Sequence, residues 1–373
     1  TVVIGEHPAA AGLRRYDELE RYLGTAVNVP MSPHDPMYLN FTSGTTGVSK
    51  GAVTTHANIF WNTRAAVEAF AMTADDTHLI MFPSFVHPHE LFARPLFLGG
   101  ATVLVDGVHP KTIAKTIETE AVTCFMAVGS IYETLVRLRD PGRYDFSSLR
   151  VAESGGMHVT ASLVRSFEEL YGLPISPVWG STEATGIALA TPRGESYRNG
   201  SMGKPIPHYE VTVLGSDGKE AAPGEEGEMA VRGPAVIGSY FNNHIETIKY
   251  LRGGWFHTGD VVKRDEDGYF YFQSRTTGLM KVGGIKVYPT EIEEVVRAHP
   301  AVAEVAVVKV LEDLHGEVPK AVVALKEPGS LTTAQLRHWC EERLHRLKIP
   351  RIIEFVEELP KTPGGKVAWK RLS

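Results

Sequence analysis

Through its first half the chain repeats one pattern, a short apolar run followed by a stretch with apolar residues three and four apart. The runs fall at 79–82, 101–105, 122–126, 149–152 and 175–178. The stretches at 57–70, 111–120, 131–138 and 161–171 have the spacing of helices that bury one face. Strand and helix in series leave few topologies, and the expected one is a parallel sheet with right-handed crossovers. Such sheets bind ligands beyond the carboxyl ends of their strands. The loops after these runs are therefore where chemistry is expected.

The texture changes near Pro192. From 200 to 272 the pattern is short strands and tight turns, with strands at 211–214, 228–232 and 269–272. Asp217-Gly218 and Asp267-Gly268 read as hairpin turns. From about Arg275 a third texture begins, with helices at 289–298 and 333–344 and strands at 302–310 and 321–325. This predicts a small α+β region. No internal repeat is visible.

At 373 residues the chain has room for two to three domains. Its 43% hydrophobic and 22% charged residues are ordinary for globular proteins, which excludes disorder, collagen and coiled coil as overall descriptions. A formal net charge of −6 gives no positive excess to draw the chain to nucleic acid or anionic lipid. The two cysteines, Cys124 and Cys340, form no disulfide framework or metal cluster, and Cys124 lies in an apolar run that predicts a core position. No run approaches the roughly 20 apolar residues of a membrane span. Thr1-Val2-Val3-Ile4-Gly5 lacks the basic leader of a signal peptide, and a cytoplasmic setting is expected. It also lacks Met, so the chain is expected to begin partway through a longer protein.

The most informative segment is Thr42-Ser43-Gly44-Thr45-Thr46-Gly47-Val48-Ser49-Lys50-Gly51. Its glycines let the backbone approach a ligand, its N–H groups suit an anion nest, and its hydroxyls and Lys50 add donors and a cation. On composition alone a flexible Gly/Ser/Thr linker is the alternative reading. It is not a Walker A loop, because Ser49 replaces that motif's second glycine and Gly51 its Ser/Thr.

The segment resembles the phosphate loop of the AMP-forming adenylating enzymes, which include acyl- and aryl-CoA synthetases, adenylation domains and luciferases. Further motifs similar to that family's follow in order. They are Ser154-Gly155-Gly156-Met157, Trp179-Gly180-Ser181-Thr182-Glu183, Gly254-Trp255-Phe256-His257-Thr258-Gly259-Asp260, Ser274-Arg275 with Lys281-Val282-Gly283-Gly284-Ile285-Lys286-Val287, and Pro360-Lys361-Thr362-Pro363-Gly364-Gly365-Lys366. The resemblance spans residues 42 to 366.

The resemblance implies a role for each motif. Thr42 to Lys50 would hold the β- and γ-phosphates of ATP. Thr182 would donate to the α-phosphate and Glu183 would coordinate Mg²⁺, which takes one or two carboxylates plus phosphate oxygens. Trp179 would stack on adenine beside Gly155 and Gly156, whose missing side chains leave room for the base. Asp260 would accept from both ribose hydroxyls, and Arg275 would touch ribose or phosphate. Lys366 would bridge the attacking carboxylate and the α-phosphate. Lys281 to Gly284 would line the pantetheine channel. Read singly, Asp260 is a turn residue or cap, Glu183 and Lys366 are solvated charges, and Trp179 is core.

The sequence departs from the family pattern in several places. Thr277 and Gly278 stand where the family has Lys and Asp, although a glycine still suits a hinge. His87 falls one residue late for a gate on the acyl pocket. His87-Pro88-His89-Glu90 could also suggest a metal site, but it lacks a third well-placed ligand. Gly129 replaces a common proline at an expected pocket wall. The phosphate loop also comes early, at residue 42, so a first subdomain is expected to be missing and apolar surface left uncovered.

The fold expected is α/β. A parallel-sheet large domain, truncated at its N-terminus, spans 1–274, with an α/β part at 1–195 and a small β-rich part at 196–274. A small mobile α+β lid follows at 275–373, hinged near 275–278. The function implied is an ATP-dependent acyl-CoA ligase that forms acyl-AMP and pyrophosphate, then passes the acyl group to the thiol of coenzyme A. The alternatives are an adenylation enzyme that loads an acyl carrier protein, and a non-catalytic nucleotide-binding fragment. The pocket segments 82–91, 126–131, 153–157 and 178–187 are mostly apolar with small residues, which suits a fatty or aryl acid. His89 or Glu90 could instead meet a polar group.

Overall fold

The computed structural model describes residues 2–3, 14–15, 29–42, 50–82, 88–156, 159–276, 278–283, 285–312, 316–361 and 367–372. The chain forms two compact units, 1–35 and 36–373. In the first, β1 (Val2–Val3) pairs in parallel with β2 (Arg14–Arg15). All further elements belong to the second.

Strands β3 (Pro36–Thr42) and β4 (Lys50–Thr55) run antiparallel with Thr42 opposite Lys50, so they bracket the segment 43–49. Helix α1 (His56–Phe70) starts on a capping box. Asn58 N–H donates to Thr55 Oγ1, and Thr55 N–H donates to Asn58 Oδ1.

The large sheet is built from β5 (Thr77–Phe82), α2 (Ala93–Leu98), β6 (Ala101–Asp106), α3 (Pro110–Thr119), β7 (Cys124–Ala127), α4 (Gly129–Val136), β8 (Val151–Ser154), α5 (Ala161–Tyr171), β9 (Ser176–Ser181), β10 (Gly186–Ala190) and β11 (Lys204–Pro205). The strand order is β11-β10-β9-β8-β7-β5-β6. From β6 to β9 the pairing is parallel, as the alternation predicts. β10 and β11 return antiparallel. The sequence pattern missed β10 because all five of its residues are buried, which leaves no two-residue alternation to read.

Ile113 and Ile117 of α3, Tyr132 and Leu135 of α4 and Phe167 of α5 pack with Leu79, Phe125 and Ala152 of the strands. Cys124 is buried in this sheet, and burial pushes its thiol up to about 12, as befits an inert core residue. At the amino end of the sheet Asp76 is buried. Its carboxylate accepts from Arg150, from Thr123 Oγ1 (2.7 Å) and from Thr73 N–H (2.7 Å).

The β-rich part comprises β12 (Glu210–Leu214), β13 (Glu226–Arg232), α6 (His244–Tyr250), β14 (Leu251–Arg252), β15 (Trp255–Arg264) and β16 (Phe270–Arg275). Its sheet is antiparallel, in the order β12-β13-β15-β14 with β16 against β15. The two Asp-Gly pairs lie in turns, closed by Gly218 N–H to Gly215 O and Gly268 N–H to Asp265 O.

The last part holds β17 (Met280–Val282), β18 (Ile285–Val287), α7 (Pro289–Arg297), β19 (Val302–Glu312), β20 (Gly316–Leu325), α8 (Thr333–Glu341) and β21 (Ile352–Val356). It has its own apolar cluster, which includes Met280, Ile292, Val307, Val323, Leu336 and Cys340. β21 lies parallel to β20, a pairing the sequence did not suggest. Helix α8 stops at Glu341, short of the expected 344, because the Cys340 carbonyl takes the N–H groups of both Arg343 and Leu344 in a tightened last turn.

Candidate active site

A β-bulge aims the best-defined candidate residue. Between the Glu228–Val261 and Ala230–His257 pairs, Thr258, Gly259 and Asp260 face the single residue Met229. Gly259 carries a φ of +72°, which a side chain would resist. Thr258 Oγ1 donates to Met229 O (2.8 Å) and accepts from Asp260 N–H (3.0 Å), which locks the bulge.

Asp260 is 1% exposed. Its Oδ2 accepts from Trp179 Nε1 at 2.9 Å. Arg275 Nε lies 2.6 Å from Oδ1 in an ion pair, yet Oδ1 receives no aligned hydrogen bond. Burial pushes the pKa of this carboxyl above the usual range, against the opposing pull of Arg275 and Trp179. Three residues predicted from separate motifs thus meet at one point. Arg275 Nη1 also donates to Thr258 O (3.1 Å), and this tether holds its guanidinium beside the bulge.

Trp179 and Gly180 lie on β9 and Thr182 and Glu183 in the turn that follows, at the carboxyl end of the sheet. Gly180 is obligatory there, since a Cβ would stand 2.5 Å from Gly186 O on β10. Gly155 was expected to leave room for a base, but its missing side chain is filled by Val178, whose Cγ2 would meet a Cβ at 2.9 Å. Gly156 has a φ of +77° and open space around its Cβ direction. The Glu183 carboxylate accepts from Tyr240 Oη at 2.6 Å.

Lys50 is 6% exposed and its Nζ donates to Glu246 Oε2 at 2.7 Å. The same Nζ lies over the rings of Tyr250 (4.0 Å) and Tyr240 (5.0 Å). Thr42 Oγ1 is buried without a hydrogen-bond partner beside the 43–49 segment. Lys281 is exposed, and Gly283, directly after β17, has a φ of +56°. Ser43, Gly44, Thr45, Thr46, Gly47, Met157, Gly284 and Lys366 lie outside the described residues, as do Thr277 and His87.

His89, fully buried, lies 2.8 Å from Tyr38 Oη and 3.2 Å from Asn62 Oδ1, within a polar network of the interior. Among the described residues no group of three or more His, Cys, Asp or Glu side chains could hold a metal ion. Magnesium is usually held by one or two carboxylates together with phosphate oxygens. Glu183 fits this role, because among the described residues its carboxylate accepts one hydrogen bond, at Oε1.

Sequence reasoning missed Tyr240 and Glu246, which carry no local signal. It also missed Arg94, which is 4% exposed. Its Nη1 is 2.6 Å from Glu153 Oε2 and its Nη2 is 3.5 Å from Glu90 Oε1. The four-residue spacing of Glu90 and Arg94 was the available clue.

Residues 2–241 match the family described as AMP-binding enzyme, and residues 291–366 match its C-terminal domain. The indoleacetate–CoA ligase of Aromatoleum aromaticum is 34% identical over 360 residues, covering 94% of this chain and 70% of that protein. The long-chain-fatty-acid–CoA ligase of Escherichia coli O157:H7 is 33% identical over 355 residues, covering 93% of this chain and 63% of that protein. Among solved structures, the O-succinylbenzoate coenzyme A synthetase of Bacillus subtilis, in complex with ATP and magnesium ion, superposes with a TM-score of 0.87. It is 29% identical and covers 96% of this chain and 75% of that one. No helix among the described residues is long and apolar enough to cross a membrane. The matched segments, the parallel sheet and the motifs gathered at its carboxyl end agree: the chain belongs to the AMP-binding enzyme family.

Proposed function

We propose that this chain activates a carboxylic acid with ATP and transfers the acyl group to coenzyme A. The observation that carries the reading is Asp260, a buried carboxylate whose Oδ1 has no aligned donor and whose burial opposes its charge. A bulge presents it where an acceptor is useful, and the two hydroxyls of a ribose would supply the missing donors. The relatives named as CoA ligases favour free coenzyme A as the thiol.

In this reading Trp179 and Arg275 hold Asp260, and Gly156 leaves space for the base. Thr182 donates to the α-phosphate. Lys50, Thr42 and the 43–49 segment serve the β- and γ-phosphates, and Glu183 holds Mg²⁺. When bound, that ion neutralises phosphate charge. Lys366 steadies the carboxylate as its oxygen attacks the α-phosphorus and pyrophosphate leaves. The thiol then attacks the acyl carbon and AMP leaves, so no protein nucleophile is needed. Catalysis is positioning and charge stabilisation. Residues 275–278 are the proposed hinge that brings Lys281 to Gly284 to the thiol path. ATP and coenzyme A are intracellular substrates, hence a cytoplasmic setting is proposed.

The test is ATP–pyrophosphate exchange over a panel of aryl, indolyl and fatty acids, with Lys366→Ala as control. Exchange with one acid class, lost in the variant, is the expected result. Absence of exchange with every acid would sink the reading. Titrating coenzyme A against a phosphopantetheinylated carrier then identifies the thiol.

A further inference from the structure

Residues 237–250 belong to none of the motifs read from the sequence, yet they fasten two of those motifs together. Ile237 N–H donates to Glu183 O (2.9 Å), Val53 N–H to Ser239 O (3.1 Å), and Phe241 N–H to Gly51 O (2.7 Å). Ala52 and Tyr240 form an antiparallel bridge. This strap therefore joins the strand leaving the phosphate-loop segment to the turn bearing Glu183.

The side chains repeat the connection. Tyr240 is 3% exposed and donates its hydroxyl to Glu183 Oε1. Its ring stands against Tyr250, centroids 6.4 Å apart, with the Lys50 ammonium over both. Glu246, on α6 of the same strap, holds that ammonium in place.

We infer that Tyr240 is a positioning residue for Glu183, fixing the carboxylate so that Oε2 is presented to the magnesium ion that accompanies ATP. This rests on the assignment of Glu183 made above. A glutamate on a short turn rotates freely unless one oxygen is held. The Tyr240 hydroxyl holds Oε1, and the ring itself is wedged beneath Lys50. Partners that orient a metal ligand in this way commonly govern metal affinity about 10- to 100-fold. The strap also links Lys50 to Glu183 through the Tyr240 ring. The ring that orients the carboxylate is the ring that receives the cation.

The test is calorimetric titration of ATP into the full chain across a Mg²⁺ series, with Tyr240→Phe. The variant keeps the ring and loses the donor. The expected result is a rise of about tenfold or more in the Mg²⁺ needed for half-maximal binding, with ATP affinity in EDTA unchanged. Glu183→Gln should raise the same value, and the double variant should add nothing further. An unchanged Mg²⁺ midpoint, or an additive double variant, overturns the inference. A merely structural role would lower the thermal midpoint and leave the Mg²⁺ midpoint where it was. Should Tyr240→Phe fail to fold, fluorotyrosine at position 240 alters donor strength without altering shape and must still move the Mg²⁺ midpoint. Wild-type ATP binding that ignores Mg²⁺ also overturns the inference. Mg²⁺-dependent binding without pyrophosphate exchange overturns only the ligase reading.

Discussion

Asp76 and Asp260 are 2% and 1% exposed, and each faces an arginine. Burial acts on both in the same direction, yet their carboxyls end on opposite sides of the usual range. For Asp76 burial raises the pKa, but donors from Arg150, Thr123 and Thr73 outweigh it and hold the value well below. For Asp260 burial wins, because Arg275 and Trp179 offset only part of it. The depth of burial and the number of aligned donors together decide the sign. The Asp76 carboxylate, which braces the sheet, has both oxygens occupied, whereas Asp260 has one acceptor in reserve, as the proposed ribose contact requires.

The comparison can be broken first at Asp260. Asp260→Ala should lower ATP affinity roughly 100-fold or more, since hydrogen bonds to a charged group contribute about 1.5–3 kcal/mol each. Calorimetry of ATP binding reads this, and thermal unfolding should show little loss of stability. Asp76→Ala should do the reverse. It strands Arg150 and should cost up to about 3 kcal/mol in urea unfolding, because the arginine is partly exposed, while the folded fraction binds ATP normally. A smaller effect is expected for Trp179→Phe, which removes the indole donor and should weaken ATP binding about tenfold by the same calorimetry.

The smallest effect is the most diagnostic. The depressed pKa of Asp76 gives stability that is present above about pH 4 and lost as pH falls through its folded value. The raised pKa of Asp260 works oppositely, opposing folding increasingly as pH rises through its folded value. Urea midpoints of Asp76→Asn and Asp260→Asn, each compared with wild type between pH 3 and 7, should therefore diverge in opposite directions. Slopes of the same sign would end the contrast drawn here.

What the sequence made legible follows from range. The parallel strands and α5 were readable because their periodicity is local, and Ala161–Tyr171 carries its own cap, Thr160. The motif residues Trp179, Asp260 and Arg275 were named from the ordered set of motifs that resembles the family, not from any one segment, and they converge in space. The antiparallel return of β10 and the parallel addition of β21 were not readable, because pairing partners leave no mark on local spacing. Arg150 finds Asp76 across 74 positions, and Tyr240 finds Glu183 across 57. The partners that tune a site come from distant segments, so a motif names the group that acts but not the group that steadies it.

The clasp between Lys50 and Glu246 spans 196 positions, which gives it a place in time as well as space. At about 5–20 residues per second, synthesis delivers the acid roughly 10–40 s after the lysine. Throughout that interval the cation, destined to be 6% exposed, has neither its counter-charge nor its two tyrosine rings. Until α6 arrives, the corner around Lys50 lacks the partners that bury it in the folded chain.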